Sequence, residues 1–231
     1  EKDFVGVIDL VRLKAYRFDR DGSGKGKEVP IPAELATEAA EARTRLVEAV
    51  AEADEHLLEK FFEEGTLEEA DLEAGLKSAI LGRKLFPVTL GSSLHLVGCS
   101  TLLDFVVDFV PSPAEHPYPA RTIDGKTQML EADPAKPVVA IVFKTLNDPF
   151  TGRLSILRVL SGTLQNDAQL WNVRAEEAEK THGLVHLQGK QGTATPKLIA
   201  GDIGAVPKLR LALSGDTLAA REQALAASWI Q

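Results

Sequence analysis

The stretch at residues 17–29, RFDRDGSGKGKEV, has the glycines and lysines that a phosphate-binding loop would use. A loop of the Walker type needs Gly, four residues and then Gly-Lys-Ser/Thr, so that backbone N–H groups surround the phosphates and the hydroxyl reaches magnesium. Here Gly24-Lys25 is followed by Gly26, and Asp19 stands where the first glycine belongs. The spacing therefore argues against a phosphate loop.

The same stretch also fails as a calcium loop. Such a loop places oxygen ligands at alternate positions over twelve residues and ends on a bidentate glutamate. After Asp19 and Asp21, the corresponding positions are Ser23, Lys25 and Lys27. Because apolar and polar residues alternate before this stretch and glycines fill it, we predict a hairpin turn.

No other combination of residues predicts catalysis or metal binding. His182 and His186 lie in a strand-like segment, where four residues span roughly 13 Å at about 3.3 Å each, too far to share one zinc ion. The carboxylates of residues 34–73 have no aligned nucleophile or apolar pocket, and Asp104 and Asp108 mark the polar stripe of a helix. We predict no catalytic residue and no metal site.

Helical periodicity dominates the first part of the chain. Apolar residues three or four apart predict one long amphipathic helix, straight or bent, over residues 30–65. A capping box of Thr66 and Glu69 predicts the start of a second helix that ends at Gly82. KLFPVTLGSS at 84–93 predicts a short strand, and CSTLLDFVVDFV at 99–110 predicts an apolar helix that packs on a sheet.

Six prolines between residues 111 and 137 predict a linker, after which the period changes to that of strands. Short runs rich in Val, Ile and Leu, separated by turn residues, predict a small antiparallel barrel. We read Asp202 and Asp216, which follow glycines in tight turns, as structural. The fold class is therefore α+β with more than one domain.

Charge divides the chain in the same way. Residues 1–137 hold 16 Lys/Arg and 26 Asp/Glu, whereas residues 138–231 hold 10 and 8; residues 34–73 alone hold 14 acidic and 3 basic residues. A polyanion would avoid the first part and tolerate the second. The apolar fraction of 44%, the single Cys99 and the lack of a long apolar run predict a cytoplasmic protein without a membrane span. We expect a monomer.

Three runs resemble one family. They are GVIDLVRLKAYRF at 6–18, PVTLGSSLHLVGCSTLLDFVVDFVPSP at 87–113 and FKTLNDPFTGRLSILRVLSGTL at 143–164, the last followed by AGDIGAVPKL and SGDTL. Together, over residues 4–218, they are similar to bacterial elongation factor G, and particularly to its divergent elongation-factor-G-like paralogues. The Asp-Pro-Phe-x-Gly-Arg-Leu element is highly specific for this family.

The resemblance implies a fragment with four parts. Residues 1–113 would be the end of the GTPase domain. They would comprise its helical insert together with the terminal strand and helix of that P-loop α/β domain. Residues 114–137 would be the linker, and residues 138–218 the second domain, a translation-factor β-barrel. The tail at 219–231 is alanine-rich and helix-like, where the family continues with prolines, so we leave it unassigned.

The resemblance also implies partners and contact residues. Ser92, Ser93 and Leu94 match the family's fifth guanine-nucleotide motif, with Ser93 in place of the usual alanine, and would meet guanine in the intact protein. The acidic helices would dock on the ribosomal stalk protein, and the barrel would contact small-subunit ribosomal RNA. The candidate RNA contacts are Arg153, Arg158, Lys180, Lys190 and Lys197.

Two alternatives stay open. The phosphate loop, both switch segments and the Asn-Lys-x-Asp motif of the family would precede Glu1 and do not occur in this sequence. We therefore expect these residues alone neither to hold a cofactor nor to hydrolyse GTP, although GTP or GDP and Mg²⁺ would serve the parent protein. The alternatives are a free-standing protein-binding module with an acidic helical surface and an enzyme of unfamiliar type.

Overall fold

A computed structural model of the chain describes residues 3–122, 125–148, 152–189, 191–220 and 225–227. The chain divides into two units, Glu1–Pro111 and Ser112–Gln231, which are described separately. Both helices and antiparallel strands are present, which confirms the α+β fold class.

Unit 1 begins with a three-stranded antiparallel sheet in the order β1-β2-β3. Its strands are β1 (Gly6–Asp9), β2 (Lys14–Phe18) and β3 (Gly26–Val29). Phe18 pairs with Gly26, so the glycine-rich stretch between them turns the chain from β2 into β3. The predicted hairpin is confirmed.

Four helices follow the sheet. They are α1 (Ala36–Ala51), α2 (Glu55–Glu64), α3 (Glu69–Leu81) and α4 (Cys99–Phe109). Their apolar faces meet in one core, which also receives Val11 from the turn between β1 and β2; Val50 and Leu72 in this core are fully buried. Regular spacing of apolar residues thus builds the core of unit 1.

The prediction of one helix over residues 30–65 was wrong. The chain leaves the helix after Ala51, and Asp54 starts a new one by accepting hydrogen bonds from the N–H groups of His56 and Leu57. An aspartate in this position satisfies N–H groups that a helix start leaves free, so it favours a break over continuation. The predicted Thr66 capping box is also absent from the structure, because α3 begins at Glu69 after Glu68 without a side-chain cap.

The strand predicted at 84–93 was wrong as well. Residues 85–91 pair with no strand among the described residues, and only Ser92 bridges to Val97. α4 lies where it was predicted; Phe105 and Phe109 pack into the helical core, and the Ser100 hydroxyl accepts a hydrogen bond from the N–H of Gly26 in β3 at 3.3 Å, so α4 also contacts the sheet. Most of its remaining apolar side chains are exposed.

Unit 2 consists almost entirely of antiparallel strands. They are β4 (Tyr118–Thr122), β5 (Thr127–Leu130), β6 (Val139–Asp148), β7 (Gly152–Ser161), β8 (Thr163–Gln165), β9 (Gln169–Asn172), β10 (Glu177–Lys180), β11 (Val185–Gln188), β12 (Gln191–Ala194), β13 (Lys197–Ile199), β14 (Ile203–Pro207), β15 (Thr217–Ala219) and β16 (Leu225–Ala227). Eight of them form a sheet in the order β10-β9-β15-β6-β7-β14-β11-β12, β13 pairs with β8, and β16-β4-β5 form a third sheet. The predicted antiparallel β-barrel domain is confirmed.

The barrel core explains why residues 138–142 are apolar without alternation. Ala140 and Val142 lie in the main core, whereas Val139 and Ile141 lie in a second cluster that also contains Ala120 of β4. Successive residues of a strand point to opposite faces, so a strand covered on both faces is apolar throughout.

That second cluster changes the interpretation of residues 114–137, for which the prolines predict a linker. The structure places β4 and β5 here, and Ala120 and Leu130 are buried against the barrel strands. Pro119 lies near the start of β4, opposite Met129 of β5. Of the helix-like tail, Leu225–Ala227 is described and forms β16. No helix in the described residues is long and apolar enough to cross a membrane.

Candidate functional site

The loop that contains Ser92, Ser93 and Leu94 is closed by backbone hydrogen bonds. The N–H of Ser92 donates to the carbonyl of Val97 at 2.8 Å, and the N–H of Val97 donates back at 3.1 Å. The hydroxyl of Ser92 accepts from the N–H of His95 at 3.4 Å. Within the described residues the N–H groups of Ser93 and Leu94 donate no hydrogen bond, and both side chains are exposed.

Gly98 fixes where this loop meets α4. Its φ is +76°, and a Cβ at this position would lie 2.6 Å from the carbonyl oxygen of Leu90. Only glycine avoids both the strained φ and the clash. The loop is therefore a defined turn that presents two free N–H groups.

The basic candidates of unit 2 do not form one cluster. Arg153 lies at the start of β7, at the closed end of the β6–β7 hairpin. Its guanidinium donates to the carbonyl oxygens of Arg210, at 3.4 Å, and Ala212. Arg153 thus holds the loop that follows β14.

Lys180 and Lys197 lie at the opposite end of the barrel, on β10 of the eight-stranded sheet and on β13 of the β13-β8 pair. Lys180 pairs with Gln169 and Lys197 with Gln165, so the two residues flank the turn between β8 and β9. Asp167 in that turn contacts the imidazole Nδ1 of His182 through its carboxylate. A carboxylate therefore stands between the two lysines.

The other two candidates contribute less. Arg158 lies in the middle of β7, half-buried, where it lines a small cavity together with Tyr118 and Leu130. Lys190 lies outside the described residues. The structure therefore brings together only Lys180 and Lys197 of the predicted RNA contacts.

The sequence analysis missed Lys208, Arg210 and Arg174. Lys208 and Arg210 are exposed and follow β14, and the N–H of Lys208 donates to the carbonyl of Arg153 at 2.8 Å. Arg174 reaches the carbonyl of Leu211 at 2.9 Å. The available signal was the short sequence Lys-Leu-Arg between two strand-like runs, which places two cations in one loop.

Asp216 holds the same loop from inside the barrel. Arg174 donates to its two oxygens at 2.6 and 2.9 Å, and Asn172 and the N–H of Leu213 add bonds at 3.0 and 2.9 Å. Burial alone would raise the pKa of Asp216, but these hydrogen bonds outweigh burial and lower it below its ordinary value. The same pairing raises the pKa of Arg174. The structural role predicted for Asp216 is confirmed.

The acidic residues of 34–73 cover the outside of the helices. Twelve of the 14 are exposed: Glu34, Glu38, Glu41, Glu48, Glu52, Asp54, Glu55, Glu59, Glu63, Glu64, Glu68 and Glu69. Of the three basic residues, Arg43 is engaged by the carbonyls of Leu10 and Val11, and Lys60 by Asp71. Phe62 on α2 is 77% exposed in the middle of this acidic surface.

The remaining candidates give no site. His182 is engaged by Asp167, and His186 stands on β11 opposite Thr193. Among the described residues no three His, Cys, Asp or Glu side chains are grouped in a way that could hold a metal ion. The geometry therefore offers surfaces for binding: a turn with free N–H groups, an acidic helical face and a basic barrel end.

Comparison with known proteins gives one match to the barrel unit and one to nearly the whole chain. The family model for elongation factor G domain 2 matches residues 137–221. A crystal structure of a protein from Thermus thermophilus is similar to the chain, with a TM-score of 0.78 and 28% sequence identity over 98% of this chain. The match covers 32% of the Thermus protein, so the chain spans about a third of its length.

Proposed function

Because the chain belongs to the elongation factor G-like translation factors, we propose that it supplies ribosome-docking surfaces to a translational GTPase. The observation that carries the proposal is the pairing of an elongation factor G second domain with an acidic helical unit. In this proposal the protein acts as a monomer in the cytoplasm, where its partners are the ribosomal small subunit and the stalk protein.

The barrel faces ribosomal RNA in this proposal. RNA carries a dense negative charge, and a protein that binds it replaces counterions with Lys and Arg side chains. Residues 138–231 have two more basic than acidic residues, in contrast to the strongly acidic residues before them. Few aromatic rings are available, so phosphate contacts, and not base stacking, would dominate.

The acidic face of α1 and α2 binds the stalk protein in this proposal. Opposite charge raises the rate at which two proteins meet, and an exposed aromatic side chain gives the contact a hydrophobic centre. Phe62 lies between exposed Glu59 and Glu63 and fits that second role. This surface would also suit a free-standing module that binds another basic protein, which is the second candidate function.

The turn at Ser92–Leu94 contacts guanine in the longer protein. The free N–H groups of Ser93 and Leu94 are donors that suit the guanine carbonyl, and replacing alanine by Ser93 leaves the main chain unchanged. GTP and Mg²⁺ would supply the phosphoryl-transfer chemistry there, and this chain's residues would only help to orient the base. These 231 residues contain no Walker loop and no Asn-Lys-x-Asp motif.

Subunit binding tests the proposed role of the barrel. We expect the chain to bind purified bacterial small subunits at low salt and to lose affinity steeply as salt rises. Sedimentation with the subunits measures both effects. An affinity that does not change with salt would contradict a phosphate-based contact.

Stalk binding tests the proposed role of the acidic helices. The variant Glu59→Gln/Glu63→Gln should slow association with purified stalk protein at low salt, because it removes two charges from the face around Phe62. The matched control Glu176→Gln/Glu177→Gln removes two exposed charges from unit 2 and should leave the rate unchanged. If an unrelated basic protein of similar size binds as fast as the stalk protein, the free-standing module becomes the better interpretation.

Nucleotide binding separates the fragment from an unfamiliar enzyme. We expect no tight GTP binding and no hydrolysis by these 231 residues, since the groups that position phosphates and water are not in the sequence. Equilibrium dialysis with labelled GTP and a phosphate-release assay measure both. Turnover by the purified chain would overturn the proposal.

A further inference from the structure

The loop between β14 and β15, residues 208–216, is held at residues 210–213 by side-chain hydrogen bonds; we call it the clamped loop. Three consecutive carbonyl oxygens in it accept hydrogen bonds from arginines. Arg153 donates to Arg210 and Ala212, and Arg174 donates to Leu211. Guanidinium groups are suited to this task because their donors have a fixed, planar arrangement.

Several N–H groups of the clamped loop also donate hydrogen bonds. The N–H of Leu211 donates to the carboxylate of Glu179 at 2.5 Å, and that of Leu213 donates to Asp216 at 2.9 Å. The N–H of Gly215 donates to the carbonyl of Val142 at 2.7 Å. The backbone is therefore fixed before any partner arrives.

The acidic and basic side chains at the clamped loop differ in exposure. Asp216 is 4% exposed and Glu179 is 5% exposed, so both carboxylates are buried. Asp216 accepts from Arg174, Asn172 and the loop residue Leu213, and one oxygen of Glu179 accepts from Leu211. Lys208, Arg210 and Ser214 are exposed. The outer surface of the clamped loop consequently presents two cations and a hydroxyl.

We infer that the clamped loop is the surface with which the barrel binds RNA phosphates. Lys208, Arg210 and Ser214 are the contact residues, because Lys, Arg and Ser side chains are common donors to phosphate oxygens. Arg153 and Arg174 are positioning residues that hold the loop in shape. This inference rests on the proposed function. It assigns RNA binding to one defined surface, whereas the RNA contacts predicted from the sequence are scattered over the barrel.

Two features favour the clamped loop over the other end of the barrel. A preformed loop loses little conformational entropy on binding, so more of the electrostatic attraction appears as affinity. At the opposite end, Lys180 and Lys197 flank the exposed carboxylate of Asp167. That carboxylate would repel a phosphate, whereas the two carboxylates that accept hydrogen bonds from the clamped loop, Asp216 and Glu179, are buried.

Two double variants of the full chain test the assignment. Lys208→Ala/Arg210→Ala removes two exposed cations from the clamped loop, and Lys180→Ala/Lys197→Ala removes two from the other end. The probes are purified bacterial small subunits and a short RNA duplex of mixed sequence. We expect the loop variant to lower the slope of log affinity against log salt by about 1 per residue, and the control variant to change it far less.

The outcomes separate this inference from the proposed function. If the control variant weakens subunit binding as much as the loop variant or more, the clamped loop is the wrong surface while subunit docking stands. If the chain binds the duplex through the clamped loop but not the subunits, the loop assignment stands and the docking role falls. Binding to poly-glutamate as tight as binding to RNA would overturn the RNA assignment, and binding to neither RNA nor subunits would overturn both.

A charge-conserving variant tests the positioning role. Arg153→Lys keeps the charge, but one ammonium group cannot hold two carbonyl oxygens as the guanidinium does. We expect Arg153→Lys to weaken RNA binding about as much as Arg153→Ala does, and amide exchange at Leu211 and Leu213 to accelerate in both variants. Recovery of wild-type affinity in Arg153→Lys would show that Arg153 acts through its charge alone, and would contradict the positioning role.

Discussion

The two units differ in how completely they cover their apolar residues. In unit 2, residues 139–142 of β6 are buried on both faces of the strand, and Val139 and Val142 are fully buried in different clusters. In unit 1, Phe86, Val88 and Leu94 are each about four-fifths exposed or more. Similar apolar residues therefore contribute to stability in one unit and to an exposed surface in the other.

The exposed residues of unit 1 form two short runs. Phe86, Val88 and Leu90 alternate before the turn at Ser92–Leu94, and Leu103 and Val107 lie four apart on α4. Exposed apolar runs of this kind typically mark a contact surface. The comparison teaches that apolar content alone does not say which residues the chain can bury by itself.

The largest expected effect comes from replacing one leucine by alanine in unit 2, with the same replacement in unit 1 as a control. Leu157→Ala removes a fully buried side chain from the barrel core and should lower the free energy of unfolding by about 2–5 kcal/mol. Both tryptophans lie in unit 2, so urea unfolding followed by tryptophan fluorescence reports on the barrel.

Leu94→Ala is the matched control. Leu94 is 84% exposed, so its removal should change the free energy of unfolding by no more than about 0.5 kcal/mol, measured by circular dichroism. A loss as large as that of Leu157→Ala would mean that Leu94 is covered in solution and that the contrast between the units is smaller than the structure indicates.

The sequence predicted the elements of unit 2 better than their packing. Turn residues between short apolar runs mark β6, β7, β9 and β14, because each run is bounded by local turn chemistry. What joins β4 and β5 to the barrel is contact with residues distant in the chain, such as Leu160. Proline content describes local backbone limits and carries no information on such contacts.

The errors in unit 1 have a related cause. Residues 84–93 have the composition of a strand, but a strand needs a neighbour, and the described residues provide none for 85–91. The break between α1 and α2 depends on one capping aspartate, Asp54, inside an otherwise continuous helical period. The candidate site shows the same limit, since the role of Arg153 depends on carbonyl groups more than fifty residues away.

The second test concerns the charge buried under the clamped loop. Asp216→Asn removes the carboxylate that Arg174 and Leu213 share, and should lower the free energy of unfolding of the barrel by about 2 kcal/mol. The half-exposed Arg174 can regain water, which limits the loss. Urea unfolding followed by tryptophan fluorescence measures it.

The ionisation of Asp216 should make the free energy of unfolding depend on pH. The pKa of Asp216 is lower in the folded protein than the ordinary value of about 3.9. Its contribution is therefore complete above that value and is lost as the pH falls through the folded pKa. Unfolding measured from neutral pH down to acid should show a shallower decline for Asp216→Asn than for the wild type, and parallel curves would refute the proposed cause.

The smallest expected effect on stability comes from the exposed surface of unit 1. Phe86→Ser/Val88→Ser replaces two side chains that are 79% and 88% exposed, so the free energy of unfolding should change by no more than about 0.5 kcal/mol. Binding of a hydrophobic dye to the folded chain should fall, because the dye reports accessible apolar surface. The matched variant Leu184→Ser, at a buried position of the barrel, should do the opposite by destabilising the barrel and raising dye binding. Unchanged dye binding in Phe86→Ser/Val88→Ser would place the accessible apolar surface elsewhere and remove the basis for contrasting the two units.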